Sequence, residues 1–158
     1  MTGRFLAAMA AMAMAAVLAA GCVPSRDPVK LPDSVPLERP LSADIRYVFF
    51  APGKAVITPP GDAAIASAVV EDARRRANGP LPRLTVTGHT DSSGPGAGNT
   101  ATAQRLSLRR AEAVARRLAA AGIAPDRIAV SGAGTADPLL PAPAGTPEPA
   151  NDRVEIGF

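Results

Sequence analysis

Residues 83–96 read RLTVTGHTDSSGPG. The first five alternate, with Leu84 and Val86 facing one way, as a half-buried strand does. The run then breaks into Gly88, the chain's one histidine (His89), Thr90, Asp91 and a loop of serine and glycine. A strand that delivers an imidazole and a carboxylate into a loop suits a metal site, half of a catalytic pair, a phosphate cradle or a ligand pocket without chemistry. The elements on either side set the fold and narrow that choice.

Upstream, Ile45, Tyr47 and Phe49 alternate with Arg46, Val48 and Phe50, predicting a first strand in a folded region that begins near Asp44. Thr58-Pro59 offers an N-cap followed by proline at the first helical position. The helix that follows carries Ile65, Ala68 and Val69 on one side and stops at Asn78-Gly79-Pro80. Downstream, Thr102 to Ala121 places Leu108, Ala111, Val114, Ala115, Leu118 and Ala121 at three- and four-residue spacing, the apolar stripe of a second helix ended by Gly122 and Pro125. Arg127 to Ser131 reads as a third strand with Ile128 and Val130 on one face. After a Pro/Gly-rich loop, Gly132 to Ala150, a last strand alternates Val154, Ile156 and Phe158 against Arg153, Glu155 and Gly157. The order β-α-β-α-β-β predicts an α+β fold, an α/β sandwich of one sheet and two helices.

The rest of the chain is of a different kind. Arg4 precedes sixteen uncharged, almost wholly apolar residues, Phe5 to Ala20, a core too short for a spanning helix and laid out like a secretory signal. Cys22 is the one cysteine, so an intramolecular disulfide is impossible. Val23 to Ala43 holds five prolines in 21 residues without apolar periodicity, an extended tether with a reach of about 65 Å. The predicted organisation is a signal peptide over 1–21, Cys22 and a Pro-rich tether over 22–43, and one domain over 44–158. Without Arg4 there are 16 basic against 14 acidic residues, too small an excess for a nucleic-acid footprint. Four Phe, one Tyr and no Trp leave few platforms for base stacking, and nucleic acid is excluded as a partner.

Chemistry at His89 and Asp91 finds little support. There is no second histidine and no multi-ligand metal spacing, and Ser92 and Ser93 lack a nucleophile-elbow context. The glycines from Gly94 to Gly98 lack the lysine of a phosphate-binding loop. The expectation is no enzyme, no metal and no cofactor, with a hydrolase or metal site at His89/Asp91 as the lesser alternative.

Three motifs carry a resemblance. Thr87-Gly88-His89-Thr90-Asp91, Leu106-Ser107-Leu108-Arg109-Arg110-Ala111 and Asn151-Asp152-Arg153-Val154-Glu155-Ile156, with Gly132 and Gly134 between, resemble the G-H-T-D, L-S-x-x-R-A and N-x-R-V-E-I signatures of the OmpA-like peptidoglycan-binding domain. The resemblance runs from Asp44 to Phe158 and implies the OmpA C-terminal-like arrangement, one mixed sheet with two helices packed on one face. Leu18-Ala19-Ala20-Gly21-Cys22 resembles the lipobox of bacterial lipoproteins, with Ala19 where leucine is usual. Together these point to the Pal-like lipoproteins.

The resemblance implies noncovalent binding of peptidoglycan through the meso-diaminopimelate of its stem peptide, with Asp91 facing the ammonium and Arg110 the carboxylate. Charges of opposite sign suit a zwitterion, and a guanidinium can grip a carboxylate through two donors. Thr90, Gly53, Asn99, Leu106, Asn151 and Arg153 are expected to support the pocket. Cys22 is expected to be acylated, to anchor the chain in outer-membrane lipid with its domain in the periplasm, and to leave it open to envelope partners of the Tol-Pal type. The sequence departs from the family at Gly53, where asparagine or aspartate is usual, at Ala103, in a longer loop after Asp91, and at Asp152, where arginine is frequent. These departures motivate the alternative of a structural or partner-binding lipoprotein whose wall site has decayed.

Overall fold

A computed structural model describes residues 44–80, 83–94 and 100–158, all within the unit Pro36–Phe158. The signal peptide, Cys22, the tether and Asn99 lie outside the described residues. The elements follow the expected order: β1 (Ile45–Phe49), α1 (Pro59–Arg76), β2 (Leu84–His89), α2 (Ala101–Ala120), β3 (Ile128–Gly134) and β4 (Arg153–Gly157). A single 3-10 turn precedes β3 (Pro125–Arg127) and another precedes β4 (Pro149–Asn151).

The strands lie in the order β1-β4-β2-β3. β4 pairs antiparallel with both β1 and β2, while β2 and β3 run parallel, so the sheet is mixed. One strand residue in two faces the helices. Val48 and Phe50, Leu84 and Val86, and Val154 and Ile156 meet Ile65 and Ala68 of α1 and Ala111, Val114 and Leu118 of α2, closed off by Ile123. Each of the larger side chains, the two alanines apart, removes enough apolar surface from water to contribute roughly 1.5–3 kcal/mol.

α1 starts at Thr58 with Pro59 at its first position, although the Thr58 hydroxyl makes no capping bond. α2 is capped by Thr100, whose side chain accepts the Ala103 N–H. The apolar stripe read for α2 is corrected at two places. Leu108 and Ala121 are exposed, and the inward face of the first three turns is made by Ala103, Leu106, Ser107 and Arg110. Val130, expected to pack, is also exposed, because β3 is an edge strand. β2 runs two residues further than its alternation predicts, to His89.

Charged groups fasten the outer surface. Asp72 is fully buried on α1 and accepts both Arg127 terminal nitrogens, at 2.8 and 3.1 Å, and Arg76 Nε at 2.9 Å. This ties the helix to the turn before β3, and the hydrogen bonds that Asp72 accepts raise the Arg127 pKa. Hydrogen bonds from Arg74 and then Arg75 lower the Glu71 carboxyl from its ordinary 4.5 to about 2.

Candidate functional site

Ser107 sets the approach of α2 to the sheet. Gly88 and Gly132 are directly paired on neighbouring strands. A Cβ on Gly88 would lie 1.9 Å from the Ser107 carbonyl oxygen, and one on Gly132 would lie 2.6 Å from Ser107 Oγ and 2.8 Å from the Leu108 nitrogen. The helix backbone therefore rests on two strands stripped of side chains. Ser107 Oγ donates to the Gln104 carbonyl and accepts the Gly134 N–H, both at 3.0 Å, locking helix to strand. This contact explains why the glycine of the first motif, the serine of the second and the intervening glycines occur together.

One turn further along α2, Arg110 enters the end of the sheet with none of its surface exposed. Its Nε donates to the Lys54 carbonyl at 2.7 Å and Nη2 to the Ala51 carbonyl at 3.1 Å. Nη1 donates to the His89 carbonyl at 2.9 Å and to Asp152 Oδ1 at 2.6 Å. Its guanidinium also stacks over the Phe50 ring at 5.3 Å. Four of the five guanidinium N–H groups are thereby engaged within the chain. The side chain joins the turn after β1, the end of β2 and the start of β4. The resemblance implies a ligand carboxylate at Arg110; in the structure a carboxylate of the chain itself, Asp152, bonds the guanidinium.

Asp91 follows β2 by two residues, with 6% of its surface exposed. Its backbone N–H donates to Asp152 Oδ1 at 3.1 Å, and its Oδ2 accepts the Ser93 hydroxyl. Oδ1 of Asp91 enters none of these bonds. Asp152 Oδ1 thus bridges the two residues singled out in the sequence, bringing Asp91 and Arg110 to one place. Asp152 and Ser93 are the participants that sequence reasoning missed. Asp152 is visible in the sequence as a departure at a charged position, whereas nothing there marks Ser93 off from Ser92.

The supporting residues divide. Thr90 is buried beside Asp91, and its N–H holds the Gly134 carbonyl at 2.9 Å. Gly53 lies at φ 67° in the exposed turn whose Ala51 and Lys54 carbonyls receive Arg110. Leu106 is buried on the inner face of α2. Asn151 and Arg153 make contacts within the framework of the domain. The Asn151 side chain accepts the N–H groups of Leu139 (2.7 Å) and Leu140 (3.0 Å) and donates to the Leu140 carbonyl (2.8 Å). Arg153 does face away from the helices, but it is fully buried, gripping Glu155 Oε1 through Nε and Nη2 and bonding the Asp137 carbonyl at 3.0 Å. Both residues hold the loop after β3.

His89 belongs to that far face. Its Nε2 lies 3.9 Å from Glu155 Oε1, whereas Asp91 turns to Asp152 and Ser93. Among the described residues no three His, Cys, Asp or Glu side chains cluster as metal ligands.

The match to known proteins falls on this framework. The OmpA family model matches residues 49–152, from the last residue of β1 to Asp152. The chain belongs to the OmpA family. Among curated relatives, outer membrane porin F of Pseudomonas fluorescens is 41% identical over 76 residues, 48% of this chain and 22% of that protein. An outer membrane protein of Gluconacetobacter diazotrophicus is 37% identical over 90 residues, 56% of this chain and 24% of the relative. The chain thus spans under a quarter of the length of either. The OmpA-like domain of FopA1 from Francisella tularensis superposes with a TM-score of 0.60 at 28% identity, covering 75% of this chain and 76% of that one. A MotB-like protein from Desulfovibrio vulgaris gives a TM-score of 0.54 at 32% identity over 69% and 65% of the two chains. The peptidoglycan-associated lipoprotein from Burkholderia pseudomallei, at 20% identity, shares the fold, with a TM-score of 0.57 over 71% of this chain and 88% of its own.

Proposed function

We propose that this OmpA-family domain binds peptidoglycan noncovalently, as a module of the cell envelope without catalytic activity. The stem-peptide diamino acid is its ligand, with the side-chain ammonium seated on Asp91. The observation that carries this reading is the setting of Asp91: a nearly buried carboxylate at the end of an interior strand, fixed through its backbone by Asp152 and through one oxygen by Ser93, with Oδ1 left outside those bonds. A preorganised acceptor of this kind suits an ammonium and costs little to order on binding. Arg110 fixes the frame around Asp91 and offers a ligand at most its one remaining N–H. In the same reading, the chain is held to the outer membrane through acylated Cys22 and the Pro-rich stretch, its domain faces the periplasm, and envelope proteins of the Tol-Pal type are candidate partners.

Co-sedimentation of the full chain with purified sacculi tests the binding. The wild type is expected in the pellet and released by free diaminopimelate. Asp91→Asn is expected to weaken retention about tenfold or more, since a hydrogen bond to a charged group is worth roughly 1.5–3 kcal/mol. Wild-type protein that stays in the supernatant, or an Asp91→Asn variant that pellets equally well, overturns the proposal. An aspartate-to-asparagine change keeps the shape of the site, so retention reports charge and not folding.

A further inference from the structure

The charge of the pocket is set by a residue outside the expected pair. Asp152 lies between Asp91 and Arg110 with 1% of its surface exposed, accepting from both on a single oxygen. Its other oxygen, Oδ2, is buried and makes no hydrogen bond among the described residues. Two carboxylates therefore share one guanidinium, and these three groups sum to one negative charge. Lys54 is exposed on the adjoining turn, which takes part in the cluster through its Lys54 and Ala51 carbonyls.

We propose that Asp152 sets the ligand class. By occupying Arg110 from within the chain, it makes the site selective for a side-chain ammonium whose carbon bears no free carboxylate, such as the ε-amine of lysine or a diaminopimelate amidated at that end. This inference rests on the peptidoglycan-binding reading and specifies which stem peptides that reading admits. A ligand carboxylate entering here meets Asp91 and Asp152 and finds a guanidinium with one N–H to give, too few for a two-donor grip. Displacing Asp152 would take from the Asp91 N–H and from Arg110 the acceptor they share, leaving buried donors unmet. An ammonium fits better. It answers the negative charge of Asp91 and Asp152, and Asp91 Oδ1 enters none of the hydrogen bonds described above.

The test is calorimetric titration of the full chain with three stem tripeptides that end in lysine, in meso-diaminopimelate amidated at the ε end, or in meso-diaminopimelate with its carboxylate free. Wild type is expected to bind the first two about tenfold more tightly than the third. Asp152→Asn keeps an acceptor for Arg110 and the Asp91 N–H but removes the charge, and is expected to shift the preference towards the free carboxylate by about tenfold, as relief of a like-charge contact should. A wild type that binds the free carboxylate as tightly as the other two, or more tightly, overturns the inference, and so does an unchanged preference in Asp152→Asn; sacculus binding stands in both cases. Failure of all three peptides to bind, together with loss of sacculus binding, overturns the reading beneath it. Should Asp152→Asn not fold, the wild-type preference alone decides.

Discussion

Arg110→Met is expected to destabilise the domain by about 3–5 kcal/mol, the usual cost of removing one partner of a buried ion pair. Urea unfolding followed by circular dichroism measures it. The reason is the number of groups that converge on the guanidinium. Without it, the carbonyls of Lys54 and His89 lose the Arg110 donor, that of Ala51 keeps only the Lys54 N–H, and the Asp152 side chain, 2% exposed, keeps a buried charge with one N–H for company. A small domain is stable by about 5–15 kcal/mol in total, so the loss is a large share. The double variant Arg110→Met/Asp152→Asn should be less unstable than Arg110→Met alone, because neutralising Asp152 removes the stranded charge. An Arg110→Met domain as stable as wild type would refute the keystone role given to this side chain. The same reasoning bears on binding assays: a lost ligand in an Arg110 variant reports on folding first, and Asp91 is the residue whose replacement speaks to recognition.

Gly88→Ala is expected to be comparably severe, at about 3 kcal/mol, the upper part of the range for overpacking a well-filled interior. The added methyl would sit 1.9 Å from the backbone oxygen of Ser107, and a backbone atom cannot rotate away. β2 lies between β4 and β3 and cannot retreat, so α2 would have to lift, carrying Arg110 off its carbonyls. Gly132→Ala meets the Ser107 hydroxyl first, at 2.6 Å, and should cost less because that group can turn, although the Leu108 nitrogen at 2.8 Å limits the relief. Denaturant midpoints of the two variants at equal slope give the comparison. A Gly88→Ala midpoint within experimental error of wild type would mean that helix and sheet are not in the contact described.

Local signals told the elements well and told their partners poorly. Alternation and caps were enough for β2, for the start of α1 at Thr58-Pro59 and for its stop at Asn78-Gly79. The inward face of α2 was harder because it is not apolar. Its first turns present Ser107 and Arg110 to the sheet, residues that a hydrophobicity pattern assigns to solvent, and the stripe was drawn through Leu108 instead. What makes a buried arginine acceptable is an aspartate 42 residues away and three backbone carbonyls, none of which has a local signature. Asp152 was legible only as an oddity, and its meaning came from the pairing. Arg153 was placed correctly on the face away from the helices. That face being covered could not be read, because the cover is an irregular loop held by Asn151 and by Arg153 itself.

The Phe158 N–H donates to the Asp44 carbonyl at 3.2 Å, so both ends of the domain leave from the edge of the sheet opposite Asp91 and Arg110. β1 runs from that edge to the site, paired with β4 along its whole length, Ile45 to Gly157 and Phe49 to Arg153. A pull on the chain ahead of Asp44, against a ligand gripped at the far end, therefore acts along the strands. It loads the whole β1–β4 ladder in shear, where the bonds must fail together, and not as a zipper that parts one rung at a time.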